Sequence, residues 1–222
     1  MPNTTDQSPA HEDYLKALYH LGRGGTRVPT TAVANALGVS KPSVSEMLKR
    51  LGEEGLVEHE PRHGARLSPK GRAVTMQVLR RHRLLETFLV EILGLDWSEV
   101  HEDAEVLEHH LSERIVAAMD HTLGYPTEDP HGHPIPDANG NLPARDLTPL
   151  VELQVGEQGT VRELRIEEER RLRRWRDLGL VPGARIRLLE RQELEDVMRI
   201  RVGAEAVVTG SEGVEGIFVE KD

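Results

Sequence analysis

The ten residues His101–His110, HEDAEVLEHH, hold four carboxylates and three imidazoles. Set on a helix at about 100° per residue, His101, Glu105 and Glu108 fall at i, i+4 and i+7, with His109 one step further round. Side chains so spaced stand about 5–6 Å apart at Cβ, close enough for their tips to converge on one cation. Val100, Ala104, Leu107 and Leu111 share the neighbouring face as an expected packing stripe. Without a cation, Glu105 and Glu108 would repel each other beside that apolar surface; a divalent ion converts the repulsion into coordination. Upstream, His82 and Glu86 repeat the i, i+4 pattern. A solvated acidic face is the alternative for either pair alone, and the presence of both on adjacent helices favours the ion. The chain has no cysteine, so a metal must be held by oxygen and imidazole nitrogen, and neither a disulfide framework nor a thiolate zinc ribbon is available.

The elements that must carry these residues follow from periodicity. After a polar leader, Tyr14, Leu15, Leu18, Tyr19 and Leu21 recur at helical spacing, ended by Gly22 with Gly24 and Gly25. In TTAVANALGVSKPSVSEMLKRLGEEGLV, Thr30 is the expected N-cap of a short helix with Val33, Ala36 and Leu37 on its apolar face. Gly38 turns the chain, and Ser40 caps a second helix in which Val44, Met47, Leu48 and Leu51 are buried. Helix, glycine turn and helix make a helix-turn-helix. LVEHE and ARLSP then bracket Pro61-Arg62-His63-Gly64 as a hairpin with a basic tip, which extends the motif to a winged helix.

A long helix is expected from Pro69 to about Leu93, and two more over roughly Trp97–His109 and Ser112–Leu123. The segment YPTEDPHGHPIPDANGNLPARDLTP is dense in Pro, Gly, Asp and Asn and reads as a linker. Beyond it, β-branched runs at Gly159–Leu164, Ala184–Glu190, Val197–Val202 and Ala206–Val208 suggest a small β-barrel interrupted by the charged stretch Glu167–Arg176. The fold class is therefore mainly α with a small barrel. Three domains are expected: residues 1–72 as the winged helix-turn-helix, 73–142 as a helical metal-binding and dimerisation domain, and 143–222 as an SH3-like barrel.

The formal net charge of −10 hides two opposed regions. From Pro61 to Arg83 every charge is basic: Arg62, Arg66, Lys70, Arg72, Arg80, Arg81 and Arg83. From Leu84 to Asp129 the acids face a single Arg114. The first region suits phosphates and the second suits cations. No apolar run approaches the ~20 residues of a membrane span, and the start lacks the pattern of a signal peptide, so a cytoplasmic protein without a membrane partner is expected.

RRHRLLE followed by HEDAEVLEH, together with HEDYL, LGVSKPSVS, PHGHPIP and LGLVPGA, resembles the diphtheria-toxin-repressor family, including its manganese-transport-regulator branch. The resemblance covers nearly the whole chain. It implies a homodimeric, metal-dependent repressor of metal uptake genes that binds a palindromic operator in double-stranded DNA. Carried over by position, Asp13 joins Glu105, Glu108 and His109 in a primary site. His82, Glu86 and His101 form an ancillary site, to which the barrel contributes Glu168, while the second barrel position falls on Arg171, which cannot ligate. Oxygen at Asp13 and Glu105, where iron-sensing members carry sulfur, favours Mn²⁺, with Fe²⁺ the alternative. Lys16 stands where the manganese branch has a second Glu, so the two-metal geometry of that branch is not expected.

For DNA, the exposed positions of the recognition helix are Lys41, Pro42, Ser43, Ser45 and Lys49, and those of the wing are Arg62, His63 and Arg66. Two other classes compete. A metallohydrolase would need an open coordination position and a separate base, and the chain has neither HExxH nor a nucleophile elbow, so no enzyme is expected. A metal-insensitive DNA-binding protein with a peptide-binding barrel is the other.

Overall fold

The computed structural model describes residues 8–22, 25–60, 62–166 and 168–222. Most of the polar leader, Gly24, Pro61 of the hairpin tip and Glu167 therefore lie outside the described residues. The chain divides into two compact units. One runs to His82 and includes Pro136–Asn141; the other holds Arg83–Ile135 and Leu142–Asp222.

The first unit contains α1 (Pro9–Leu21), α2 (Thr30–Leu37), α3 (Lys41–Glu53), the hairpin β1 (Val57–Glu60) and β2 (Gly64–Leu67), and the start of α4 (Pro69–Glu91). Tyr14, Leu15 and Leu18 of α1, Val33 and Ala34 of α2, and Val44, Leu48 and Leu51 of α3 recur every three or four residues. They meet in one core with Leu56, Val57 and Ala65. Gly38, at φ 65°, makes the left-handed turn between α2 and α3. Ser40 then caps α3 by accepting from the Ser43 N–H.

At α2 the expected cap is displaced by one residue: Pro29 holds the N-cap position and no side chain caps the helix. The reason is a bridge between Val28 and Ala65, whose paired N–H and C=O groups keep the chain extended up to Pro29. The hairpin pairs Val57 with Leu67 and Glu60 with Gly64, completing a winged helix-turn-helix. Gly64 is required here: it sits at φ 88°, and a Cβ on it would lie 2.3 Å from the Val28 carbonyl oxygen. A buried ion pair, Arg81 Nη2 to Glu12 Oε1 at 2.5 Å, ties α4 to α1.

In the second unit, α5 (Val100–Leu107) and α6 (Glu113–Thr122) pack with the end of α4 around Leu84, Leu85, Leu89, Val100, Ala104, Val116 and Met119. The helix expected from Trp97 starts later because Asp96 Oδ1 accepts from the Ser98 N–H at 3.0 Å and the Ser98 hydroxyl at 2.7 Å, which holds a turn. These bonds, with the Arg176 guanidinium, hold the Asp96 carboxyl at about 2. After Leu107 the helix tightens into a 3₁₀ turn over Glu108–His110. That tightening corrects the expected packing stripe. Val100 and Ala104 are buried, but Leu107 is 44% exposed, and the buried position one turn on from Ala104 belongs to Glu108.

The barrel is an antiparallel sheet in the order β3-β8-β4-β5-β6-β7. Its strands are β3 (Thr148–Pro149), β4 (Gln158–Leu164), β5 (Arg185–Gln192), β6 (Val197–Val202), β7 (Glu205–Thr209) and β8 (Ile217–Lys221). The charged stretch contains α7 (Glu169–Asp177), whose Leu172 and Trp175 are fully buried in the barrel core. Trp97 packs against that core. Arg173 and Arg176 of α7 pair with Glu99 and Asp96, so barrel and helices share one unit through both apolar and ionic contacts.

Candidate metal centre

Within the second unit, Glu86 is 2% exposed and lies between two imidazoles. Its Oε1 is 3.3 Å from His101 Nδ1 and its Oε2 is 3.7 Å from His131 Nδ1. On α5, His101 Nε2 is also 3.8 Å from Glu105 Oε1, the i, i+4 contact that the spacing predicts. Glu108 is fully buried, with His109 Nε2 3.7 Å from its Oε1. A helix that places two carboxylates beside its buried face must neutralise them with a proton or a cation.

His131 comes from the segment expected to be a linker. Chain reversal there is tight: Glu128 bridges Pro134, and the Asp129 N–H donates to the His133 carbonyl. Inside this turn Asp129 Oδ1 accepts the backbone N–H groups of His131 and His133, while its Oδ2 lies 3.2 Å from His133 Nδ1 and 3.7 Å from Arg83 Nε. Burial pushes the Asp129 carboxyl up, but His133 outweighs it and holds the group below its ordinary value. Gly132 must be glycine: at φ 84° its Cβ would stand 1.8 Å from the Arg162 carbonyl oxygen of β4. The Leu164 N–H of the same strand donates to the His131 carbonyl. Asp129, His131 and His133 bring one ligand atom each within mutual reach of a single ion.

The tautomer of His131 follows from its partners. Nε2 faces the Trp97 carbonyl at 2.8 Å, so Nε2 carries a hydrogen and donates. In the neutral ring Nδ1 then holds a lone pair, and it points at a buried carboxylate that also has only lone pairs to offer. Among the described residues Nδ1 has no hydrogen-bond partner. Burial pulls the imidazole pKa down, but the Glu86 carboxylate overcomes this and raises it to about 9. An unpartnered imidazole nitrogen facing a buried carboxylate, with a second imidazole on that carboxylate's other oxygen, fits a borderline-to-hard divalent cation.

Of the other expected ligands, His82 is buried on α4 one turn before Glu86, and Asp13 is half-buried on α1 of the first unit. Glu168 departs from expectation. It is exposed at the N-cap of α7, and no group of converging ligand atoms among the described residues includes it. Its helix-capping position turns it toward solvent, and the Asp129–His133 turn stands beside Glu86 instead. Arg171 donates to the Glu212 carbonyl.

The DNA-facing candidates divide in the same way. Lys41, Pro42, Ser43, Ser45 and Lys49 are exposed on α3, as are Arg62 and His63 at the wing. Ser43 shares a 2.8 Å hydroxyl contact with Ser40, so it also supports the cap. Arg66 is already engaged by Glu58, at 2.7 Å from Nε and 2.6 Å from Nη2. An acid directly across the hairpin makes that pair, and the charge count along the sequence did not take it into account.

Asp129, His131 and His133 were missed because Pro and Gly density marked the segment as a linker. The overlooked signal is the D-x-H-x-H alternation: in extended chain, residues two apart point to the same side.

Residues 6–65 match the N-terminal DNA binding domain of iron dependent repressors, residues 68–137 their metal binding and dimerisation domain, and residues 148–221 the FeoA domain. The chain belongs to the iron-dependent repressor family of metal-dependent, DNA-binding transcriptional regulators. It is 32% identical to the iron-dependent repressor IdeR of Mycobacterium leprae, over 95% of this chain and 96% of the relative. To the diphtheria toxin repressor of Corynebacterium diphtheriae it is 34% identical, over 56% of this chain and 55% of the relative. Among solved structures, a manganese-dependent transcriptional repressor in complex with manganese superimposes with a TM-score of 0.89 at 36% identity, covering 96% of this chain and all of the other.

Proposed function

We propose that the protein is a manganese-activated repressor of metal uptake genes, acting as a homodimer on a palindromic operator. Asp13, Glu105, Glu108 and His109 are the ligands of the regulatory ion. His82, Glu86 and His101 hold a second ion, with His131 and Asp129 in place of the barrel ligand Glu168. The observation that carries this reading is the pair of buried carboxylates, Glu86 and Glu108, each beside an imidazole in a chain without cysteine. Such oxygen-rich sets favour Mn²⁺ among transition ions available to a cell. The relative solved with manganese supports the same choice, while relatives named for iron keep Fe²⁺ as the competing ion.

The ion supplies charge neutralisation and a fixed link between ligands. Asp13 belongs to the unit that carries α3, whereas Glu105, Glu108 and His109 belong to the other. Joining them restricts how the recognition helix is presented. In a homodimer this sets the separation of two α3 helices, and a palindrome accepts both only at about one helical turn, roughly 34–36 Å, or a multiple of it. By linkage, operator DNA tightens ion binding by the same factor. Exposed Leu93, Leu95, Val106, Leu107 and Ile115 supply apolar surface for the dimer contact. We place the protein in the cytoplasm, where its operator is.

A gel shift on the promoter of a metal transporter, titrated with Mn²⁺, Fe²⁺ and Zn²⁺ for wild type and Glu105→Ala, tests the reading. Mn²⁺-dependent retardation that Glu105→Ala abolishes is the expected result. Equal retardation with and without chelator would overturn it and favour a metal-insensitive DNA-binding protein.

A further inference from the structure

One strongly charged surface lies outside the metal centre and the winged helix. On the outer face of the barrel, Arg185 and Arg187 of β5 alternate with buried Ile186 and Leu188, and Arg199 and Arg201 of β6 alternate with buried Met198 and Ile200. Antiparallel register sets Arg187 directly opposite Arg201. Residues so placed have Cβ atoms about 4.5–5.5 Å apart, where like charges destabilise the sheet unless an anion lies between or above them.

The neighbours leave this charge open. Arg201 and Arg199 stand across from Ala206 and Val208 on β7, which can neither pair nor cover them. Across β5, the acid in register with Arg199 is Glu190, which also accepts from Gln192 at 2.5 Å and offsets Arg199 in part, leaving Arg187 and Arg201 without an acid in register. Arg187 donates to the Gly156 carbonyl, and neither it nor Arg199 or Arg201 forms an ion pair among the described residues. Arg185 alone is neutralised, by Asp222 at 2.6 Å. Beside Arg187 opens a cleft of about 410 Å³ that Glu157 and Asp222 line together with Lys221, which Glu157 already neutralises, so the open positive charge lies on the strand face and not in the cleft.

We propose that this arginine face, Arg187, Arg199 and Arg201, binds the phosphodiester backbone of DNA outside the operator contacts made by α3 and the wing. Three observations favour DNA. The groups are all guanidinium, whose planar fork meets phosphate oxygens in pairs. Their spacing along a strand, two residues or about 6.6 Å, repeats regularly as a backbone of regular charge does. The rest of the chain carries the acid that makes the net charge −10, so this face attracts a polyanion that most of the surface repels. Because the same chain carries a DNA-binding unit, the second contact forms at high effective concentration and needs little intrinsic affinity. Its ligand has no sequence requirement, since nothing on the face reads base edges.

The test uses the full-length, Mn²⁺-loaded protein on a long duplex of arbitrary sequence, measuring the dissociation constant across a salt series. Each lost phosphate contact lowers the slope of log K against log salt by about 0.9, so Arg199→Gln/Arg201→Gln should lower it by roughly 2. Arg199→Lys/Arg201→Lys, which keeps the charge, should retain the slope. If the double Gln variant does not fold, Arg201→Gln alone should lower the slope by about 1. An unchanged slope in a variant that melts like wild type overturns the proposal. So does an unchanged slope accompanied by altered sedimentation, which would assign the face to the acidic surface of a second copy.

Discussion

Glu86 and His131 oppose each other across the second unit, Oε2 to Nδ1 at 3.7 Å, with the imidazole fixed from behind by the Trp97 carbonyl. The backbone therefore presents an imidazole nitrogen to a buried anion, an arrangement completed by a positive charge, either a proton on the ring or a cation that replaces it.

Replacing Glu86 by Gln removes that anion while keeping its shape. Mn²⁺ affinity measured by titration calorimetry should fall at least about 10-fold at the proposed second site, since losing a ligand costs no less than losing an outer-shell partner. Glu168→Ala, at an exposed helix cap, should leave both sites unchanged. Equal losses in the two variants would return the ancillary site to the barrel.

Gly132→Ala forces a Cβ toward a backbone oxygen of β4 and strains a left-handed residue. The expected cost is about 2–4 kcal/mol, read as a melting temperature lower by roughly 4–15 °C. A melting curve within a degree of wild type would refute the close packing of the Asp129–His133 turn on β4.

Asp96 is held ionised by Ser98 and Arg176, its pKa at about 2 against 3.8 in an unfolded chain. A depressed carboxyl stabilises the fold above 3.8 and loses that effect as pH falls through 2. Asp96→Asn should therefore cost about 0.5–1 kcal/mol at neutral pH, the side chain being about a third exposed. In denaturant titrations the gap between variant and wild type should narrow below pH 4 and close near pH 2. A gap independent of pH would remove the charge from the explanation.

In the wing, Arg62 is exposed while Arg66 is clamped by Glu58. Arg62→Ala should lower the salt slope of operator binding by about 1, and Arg66→Ala should lower it by less. The reverse order would mean that the Arg66–Glu58 pair opens on DNA.

Much of the architecture was legible because it rests on local periodicity. The Gly38 turn and the Ser40 cap are written in short-range patterns, and β6 fell at Val197–Val202 as read. What escaped depends on distant partners. Pro29 rather than Thr30 precedes α2 because Val28 pairs with Ala65, far along the chain. Leu107 is exposed because α5 tightens where its last turn buries Glu108, and no heptad count shows a change of helix pitch. The candidate ligand pairs on α4 and α5 are visible as i, i+4 spacing, whereas Asp129 and His131 lie on an irregular turn whose Pro and Gly content disguised a two-residue alternation. β3 and β8 were missed for a similar reason: one has two residues, and the other follows a glycine-rich stretch.

The division of the chain has a practical corollary. Pro136–Asn141 returns to the first unit, while the residues on either side of it belong to the second. Arg80 donates to the Pro136 carbonyl at 2.6 Å, and a Cβ on Gly140 would lie 3.1 Å from the Met76 Cβ. The polypeptide thus crosses from one unit to the other three times. A protease that nicks between Arg83 and Ile135 would cut the direct covalent link between the first unit and its own strap, and shuffling that unit as an uninterrupted N-terminal module would leave the strap behind.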